Sequence, residues 1–130
     1  MSEPSSMNAP VRTTASEPIV TITGVSKIYR QGAIAVTALN NVSAQIGPGE
    51  FTALVGPSGS GKTTLLNLIG GLDVPDSGAL TVAGHRLDEM SPAEITRLRL
   101  QRVGFVFQAY NLIPSLTARE NVALLSLIHI

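Results

Sequence analysis

The sequence predicts a mixed α/β fold, and three observations carry that expectation. Two short apolar runs, FTALV at 51–55 and VGFVF at 103–107, are too short for globular helices and suit central parallel strands covered on both faces. For the first run, a buried helix segment is the alternative reading. Segments with helical spacing alternate with these runs, and a glycine-rich turn, GPSGSGKTT at 56–64, joins the first run to the first such segment. The resulting order of strands, turn, helix, strand, helix, strand and helix is that of a layered α/β domain.

Taken in order, residues 1–18 hold Ser, Pro, Thr, Ala and Glu without periodicity and should form a mobile arm. The organised part is expected over 19–130. IVTITGVSKIY alternates Ile19, Thr21 and Thr23 against Val20, Ile22 and Gly24, a half-buried strand with a turn or bulge near Gly24. AIAVTALNNVSAQI reads as a second strand, with a turn or bulge at Asn40 and Asn41. GPGE at 47–50 is a tight turn. From Lys62 to Ile69, Leu65, Leu66, Leu68, Ile69 and then Leu72 have helical spacing, and Gly70 with Gly71 supplies a stop. DVPDSG turns the chain into ALTVAG, an edge-type strand. SPAEITRLRLQR carries Ser91 as N-cap, Pro92 at the first helical position and Glu94 three residues after the cap. Ile95, Leu98 and Arg102 mark one face of that helix, with Arg97 and Arg99 solvated. A last helix begins near Thr117, where Glu120 completes a second capping box.

Composition narrows the classes of function. The chain of 130 residues is long enough for one domain with a core, although short for an α/β fold. It has no Trp and 4% aromatic residues, so a core must come from Leu, Ile, Val and Ala. Nine basic residues balance nine acidic ones, which argues against gripping nucleic acid through overall charge. No cysteine is present, so there is no disulfide framework, and this fits a reducing compartment. The opening residues lack the apolar core of a signal peptide, and no run of 18 apolar residues occurs. His85, beside a turn and without ligand-spaced companions, reads as a surface histidine.

Gly56, Gly61, Lys62 and Thr63 meet the pattern G-x-x-x-x-G-K-[ST], with a strand expected before and a helix after. Glycines let the backbone fold tightly and bring its N–H groups to phosphate oxygens without a Cβ in the way. The unpaired amides of the helix start and its dipole attract the same charge. Lys62 can reach the β- and γ-phosphates as a point charge that stabilises transfer, Thr63 offers a hydroxyl to Mg²⁺, and Thr64 offers one to an inner phosphate. Such a pattern arises by chance in fewer than about one in a hundred chains of this length, so a nucleoside triphosphate site is expected. A dinucleotide fold is disfavoured, because Gly56, Gly59 and Gly61 are spaced G-x-x-G-x-G rather than G-x-G-x-x-G.

Two blocks, GPSGSGKTTLLNLIGGLDVPDSG and RVGFVFQAYNLIPSLTARENV, resemble the nucleotide-binding subunits of ABC transporters, most closely the lipoprotein-release and macrolide-export branch. The resemblance runs from about Ile19 to about Leu124. It implies a P-loop NTPase fold of ABC type, with an antiparallel β subdomain beside a mainly parallel core sheet. Tyr29, in SKIYRQG, matches the aromatic that stacks on adenine; on its own it could equally be an amphipathic core residue. Ser58, Gly59, Ser60, Gly61, Lys62, Thr63 and Thr64 match the phosphate cradle, and Gln108 matches the glutamine that approaches Mg²⁺ and the attacking water. Lys62 and Gln108 are thereby the catalytic candidates, Thr63 and Gln108 the metal candidates, and ATP with Mg²⁺ the implied cofactors. Residues Ala109 to Glu120 match the segment that docks on a membrane permease; packing inward on its own domain is the alternative.

The same likeness implies an ATPase motor working as a head-to-tail dimer, peripheral on the cytoplasmic face of the cell membrane through its permease. The family's later features are not in these residues: there is no LSGGQ-like signature and no apolar run ending in Asp-Glu, and His129 matches no switch histidine. The ending LLSLIHI, with 125–130 atypical of the family, suggests a truncation, which would leave a parallel sheet with an unpaired edge and an uncovered apolar face. A piece of this kind is expected to bind nucleotide at most weakly, with hydrolysis belonging to the longer protein. Two other readings share the phosphate cradle. One is an ABC-type ATPase in a non-transport role such as cell division or regulation; the other is a GTPase or small-molecule kinase, disfavoured because no N-K-x-D motif is present.

Overall fold

A computed structural model describes residues 16–127. The arm expected over 1–18 therefore lies outside the described residues apart from 16–18, which carry no regular structure, and His129 also lies outside. Four strands make one antiparallel sheet in the order β2-β1-β3-β4, with β1 Val20–Gln31, β2 Ile34–Ile46, β3 Ser77–Val82 and β4 His85–Arg86. Three helices follow the predicted positions: α1 Lys62–Ile69, α2 Pro92–Arg102 and α3 Ala118–Leu127.

The strand β1 organises the sheet, pairing with β2 on one side and β3 on the other. Its expected irregularity at Gly24 is present: Gly24 takes φ 59, and the register with β2 shifts between Ile22 and Val25. This bulge reverses the inward parity of the strand. Val20 and Ile22 are buried before it, Val25 and Lys27 after it. Asn41, with φ 51, marks the corresponding irregularity in β2. The strand ALTVAG is not at an edge, as the sequence suggested, but lies inside the sheet, because the two residues of β4 fold back on it through Ala83 and Gly84.

One face of the sheet carries the core. Val20, Ile22, Val25, Leu39, Leu80 and Val82 meet Leu65 and Leu68 of α1, Leu87 of a 3-10 turn over Leu87–Glu89, and Leu98 of α2. Each such side chain contributes roughly 1.5–3 kcal/mol by leaving water. The capping boxes form as read: Glu94 N–H donates to Ser91 Oγ, and Thr117 pairs reciprocally with Glu120. Two side chains on α2 depart from the reading. Arg102 is exposed rather than on the core face, and Arg99 is half-buried, donating from Nη1 to the Gly71 carbonyl at 2.6 Å. A guanidinium there satisfies a carbonyl just past the end of α1, which outweighs full solvation.

The larger departure concerns the two apolar runs. Neither 51–55 nor 103–107 joins a ladder among the described residues, and the covered parallel strands expected there are not formed. Phe51 is 99% exposed, Val55 is 92% exposed and Val106 is fully exposed. A parallel strand needs a hydrogen-bonded neighbour, and no described segment is laddered to either run.

Candidate functional site

The glycine-rich turn lies against β2 and opens directly into α1. Gly61 caps α1 with φ 92, and a Cβ built on it would lie 2.5 Å from the Ala38 carbonyl and 2.9 Å from Leu39 Cδ2. Only a residue without a side chain fits between the turn and the sheet there. The first helical bond of α1 runs from Leu65 N–H to the Gly61 carbonyl at 2.9 Å. Within the helix, the amides of Lys62, Thr63 and Thr64 thus have no acceptor and face the turn.

Lys62 folds back over the loop. Its ammonium donates to the Gly56 carbonyl at 2.6 Å, the Pro57 carbonyl at 2.7 Å and Ser60 Oγ at 3.2 Å. Those loop oxygens stand where an anion's oxygens would satisfy the same ammonium. A concave backbone, unspent amides and a cation in the mouth make a set of donors that suits a polyphosphate. Thr63 and Ser58 are exposed, as a hydroxyl approaching a ligand or its Mg²⁺ must be.

A second cluster stands beside the turn. Tyr29 is 41% exposed near the end of β1, and its hydroxyl donates to Asp73 Oδ2 at 2.8 Å. The Thr64 hydroxyl also lies against that phenol, so the first turn of α1 and the tip of Tyr29 meet. Lys27, only 8% exposed, donates to Asp73 Oδ1 and to the Val74 carbonyl, each at 2.8 Å, and its ammonium sits 5.3 Å from the centre of the Tyr29 ring. The hydrogen bond to the Asp73 carboxylate, followed by burial, pushes the Tyr29 phenol up, with Thr64 and the Lys27 charge pulling the other way. Burial opposes the charge on Asp73, but hydrogen bonds from Lys27, Tyr29 and the Val74 amide hold its carboxyl below the usual range. Burial likewise opposes the charge on Lys27, and the Asp73 bond with the Asp73 and Asp76 charges overcomes it.

Gln108 makes no hydrogen bond to either cluster. It is exposed in a bend after the second apolar run. The run before it is tied to α1 by Phe105, whose Cζ would lie 2.1 Å from a Cβ on Gly70. Phe105 and Phe107 stack with their centres 5.4 Å apart. Beyond Gln108, Tyr110 is 91% exposed, while Asn121 pins the following loop, accepting from Ile113 N–H at 2.8 Å and donating to the Leu116 and Thr117 carbonyls.

Sequence reasoning singled out Tyr29 and the turn but missed Lys27 and Asp73. The available signal was parity: a glycine bulge at Gly24 sets Val25, Lys27 and Tyr29 on one face of β1, and a lysine in the middle of such a face needs an acid.

Known proteins resemble this chain in sequence and fold. The macrolide export ATP-binding/permease protein MacB of Marinobacter nauticus is 44% identical over 105 residues, 81% of this chain and 16% of its own length. The ABC transporter ATP-binding protein MJ0796 of Methanocaldococcus jannaschii is 44% identical over 106 residues, 82% of this chain and 45% of its own. The chain thus spans about half the length of one relative and about a sixth of the other. A solved dimeric structure of the MJ0796 ATP-binding cassette, in a post-hydrolysis state bound to ADP and Pi, superposes with a TM-score of 0.76 at 43% identity, covering 85% of this chain and 48% of that one. The profile of the ABC transporter family matches residues 39–129, and the chain belongs to that family.

Proposed function

We propose that residues from about Ile19 onward are the opening part of an ABC-type ATP-binding domain whose glycine-rich turn holds the phosphates of ATP. The observation that carries this reading is the Lys62 ammonium held by three loop oxygens in the mouth of the turn, above amides that α1 does not use. When ATP enters, Lys62 exchanges loop carbonyls for phosphoryl oxygens, and Ser58, Gly59, Ser60 and Gly61 line the cradle. The Thr64 hydroxyl serves an inner phosphate. Thr63 and Gln108 would hold Mg²⁺, which supplies charge neutralisation between the phosphates. Gln108 orients the attacking water once its loop swings toward the turn, and the Tyr29 ring carries the adenine.

Within the longer protein, ATP hydrolysis drives a membrane permease that exports a lipid, lipoprotein, peptide or drug. Two copies of the domain close head to tail around the nucleotide; pairing of two copies is supported by the dimeric MJ0796 cassette. Among the described residues no helix is long and apolar enough to cross a membrane. The exposed Tyr110 and Leu112 suit the face that meets the permease, which would hold the domain at the cytoplasmic side.

Amide resonances of residues 56–64 followed during an ATP titration of the full-length protein test this directly. They should shift on binding, and Lys62→Ala should weaken ATP affinity by about ten- to a hundred-fold, the worth of one or two charge-assisted hydrogen bonds. Arg97→Ala, an exposed change on α2, should leave affinity within about twofold. Unmoved resonances, or equal affinity in all three proteins, overturn the reading.

A further inference from the structure

We propose that Asp73 is a positioning residue for the Tyr29 ring, setting through one carboxylate both the place of its tip and the plane of its face. The inference deepens the proposed adenine-carrying role of Tyr29 and rests on it.

A phenol anchored only at its hydroxyl can still turn about the axis through that oxygen, so one hydrogen bond fixes position without fixing orientation. Here each oxygen of Asp73 has its own task. Oδ2 accepts from the Tyr29 hydroxyl at 2.8 Å, which fixes the tip. Oδ1 accepts from Lys27 Nζ at 2.8 Å, and that ammonium stands 5.3 Å from the ring centre, where attraction to the π-face favours one plane. The side of the ring that Lys27 covers is closed to a base. Tyr29 nevertheless remains 41% exposed and lines an open groove of about 400 Å³ with Ile28, Arg30 and Asp76, enough room for a flat heterocycle.

The carboxylate is itself held in register with the phosphate turn. The amides of Leu72 and Asp73 approach the Asn67 carbonyl at 2.9 and 3.4 Å, and the Val74 amide donates to Asp73 Oδ1 at 2.8 Å. Asp73 is therefore fixed to the end of α1, the eight-residue helix whose opposite end carries Lys62 and Thr63. Because the Tyr29 hydroxyl also meets the Thr64 hydroxyl, the base platform adjoins the phosphate cradle at the first turn of that helix. Without Asp73 the ring would lose both its anchored tip and its preferred plane, and stacking would weaken while phosphate contacts did not.

The test compares affinities for ATP and inorganic tripolyphosphate, both with Mg²⁺, in the full-length protein. Tyr29→Ala should weaken ATP by roughly five- to a hundred-fold, the range of one lost stacking contact, and leave tripolyphosphate within about twofold. Tyr29→Phe, which keeps the ring and removes the anchored hydroxyl, and Asp73→Ala should each weaken ATP several-fold with tripolyphosphate unchanged. The double variant should be no weaker than the worse single one, because both remove the same coupling. Should Asp73→Ala fail to fold, Tyr29→Phe decides alone. If Tyr29→Ala leaves the ratio of the two affinities unchanged, the adenine reading itself fails and this inference with it. If Tyr29→Ala shifts the ratio but Tyr29→Phe does not, or Asp73→Ala weakens both ligands equally, the adenine reading stands and the positioning role is overturned.

Discussion

The strand β1 and the run at 51–55 are both short stretches rich in apolar residues, yet only β1 became part of a sheet. Val20, Ile22 and Val25 are buried against Leu68 and Leu80, whereas Phe51 and Val55 stand almost wholly in solvent. The difference lies in where partners come from. The neighbour of β1 on one side follows after the two-residue connection Gly32–Ala33, and on the other side β3 returns after α1, each in antiparallel register. One partner of β1 closes through a two-residue connection and the other, β3, is among the described residues, while a parallel strand at 51–55 needs a crossover to a neighbour and has none laddered to it there. Apolarity makes a segment able to be a strand. A partner makes it one.

The largest effect that would test this contrast comes from matched truncations. Leu80→Ala, at a fully buried site of β3, should destabilise the 130-residue chain by about 2–5 kcal/mol in urea unfolding, and Val106→Ala should change it by less than about 0.5 kcal/mol. Comparable losses would mean that the second run is packed in solution. In a longer protein that covers 103–107, the same Val106 substitution should rise above about 1 kcal/mol, which would show directly that later residues complete the sheet.

A smaller effect probes the packed half alone. Asp88 accepts from the Leu80 amide at 2.9 Å and from Arg86 at 3.0 and 2.5 Å, and the Arg86 hydrogen bond leads the causes that draw its carboxyl from 3.8 down to about 2. A depressed carboxyl stabilises the fold above its unfolded value, so this contribution is present at neutral pH and is lost as pH falls from about 4 towards 2. Asp88→Asn should cost about 1 kcal/mol at pH 7, discounted because Arg86 is half exposed, and should flatten the acid limb of the stability profile. An unchanged limb would assign acid sensitivity elsewhere.

Most of the fold was legible wherever one residue type has one local use. Gly24 and Asn41 marked bulges, Ser91 with Glu94 and Thr117 with Glu120 marked helix starts, and Gly70 with Gly71 marked a stop. These signals act over a few residues. The two apolar runs were legible as strand-formers but not as unpaired, since pairing is a property of the whole chain. At the site, the turn could be read because its spacing is itself the geometry. Lys27 with Asp73 could not, because 46 residues separate the partners and only the bulge at Gly24 turns the lysine towards the acid.

The smallest predicted effect compares two identical capping devices in the two settings. Ser91 begins a helix whose Ile95 and Leu98 are buried in the core, while Thr117 begins one whose Val122 is 78% exposed. Each cap satisfies an amide at its own helix start, so the local loss on substitution by Ala is similar, about 1 kcal/mol. Its consequence differs because α2 unfolds with the core and α3 need not. Ser91→Ala should lower the global unfolding free energy by about that amount. Thr117→Ala should leave global stability nearly unchanged while amide exchange at 118–121 accelerates about fivefold, the factor corresponding to a loss of that size. Equal global losses would show that α3 is as firmly joined to the core as α2, and the contrast between a packed half and an unpartnered half would then have to be redrawn at Gly104 rather than at Thr117.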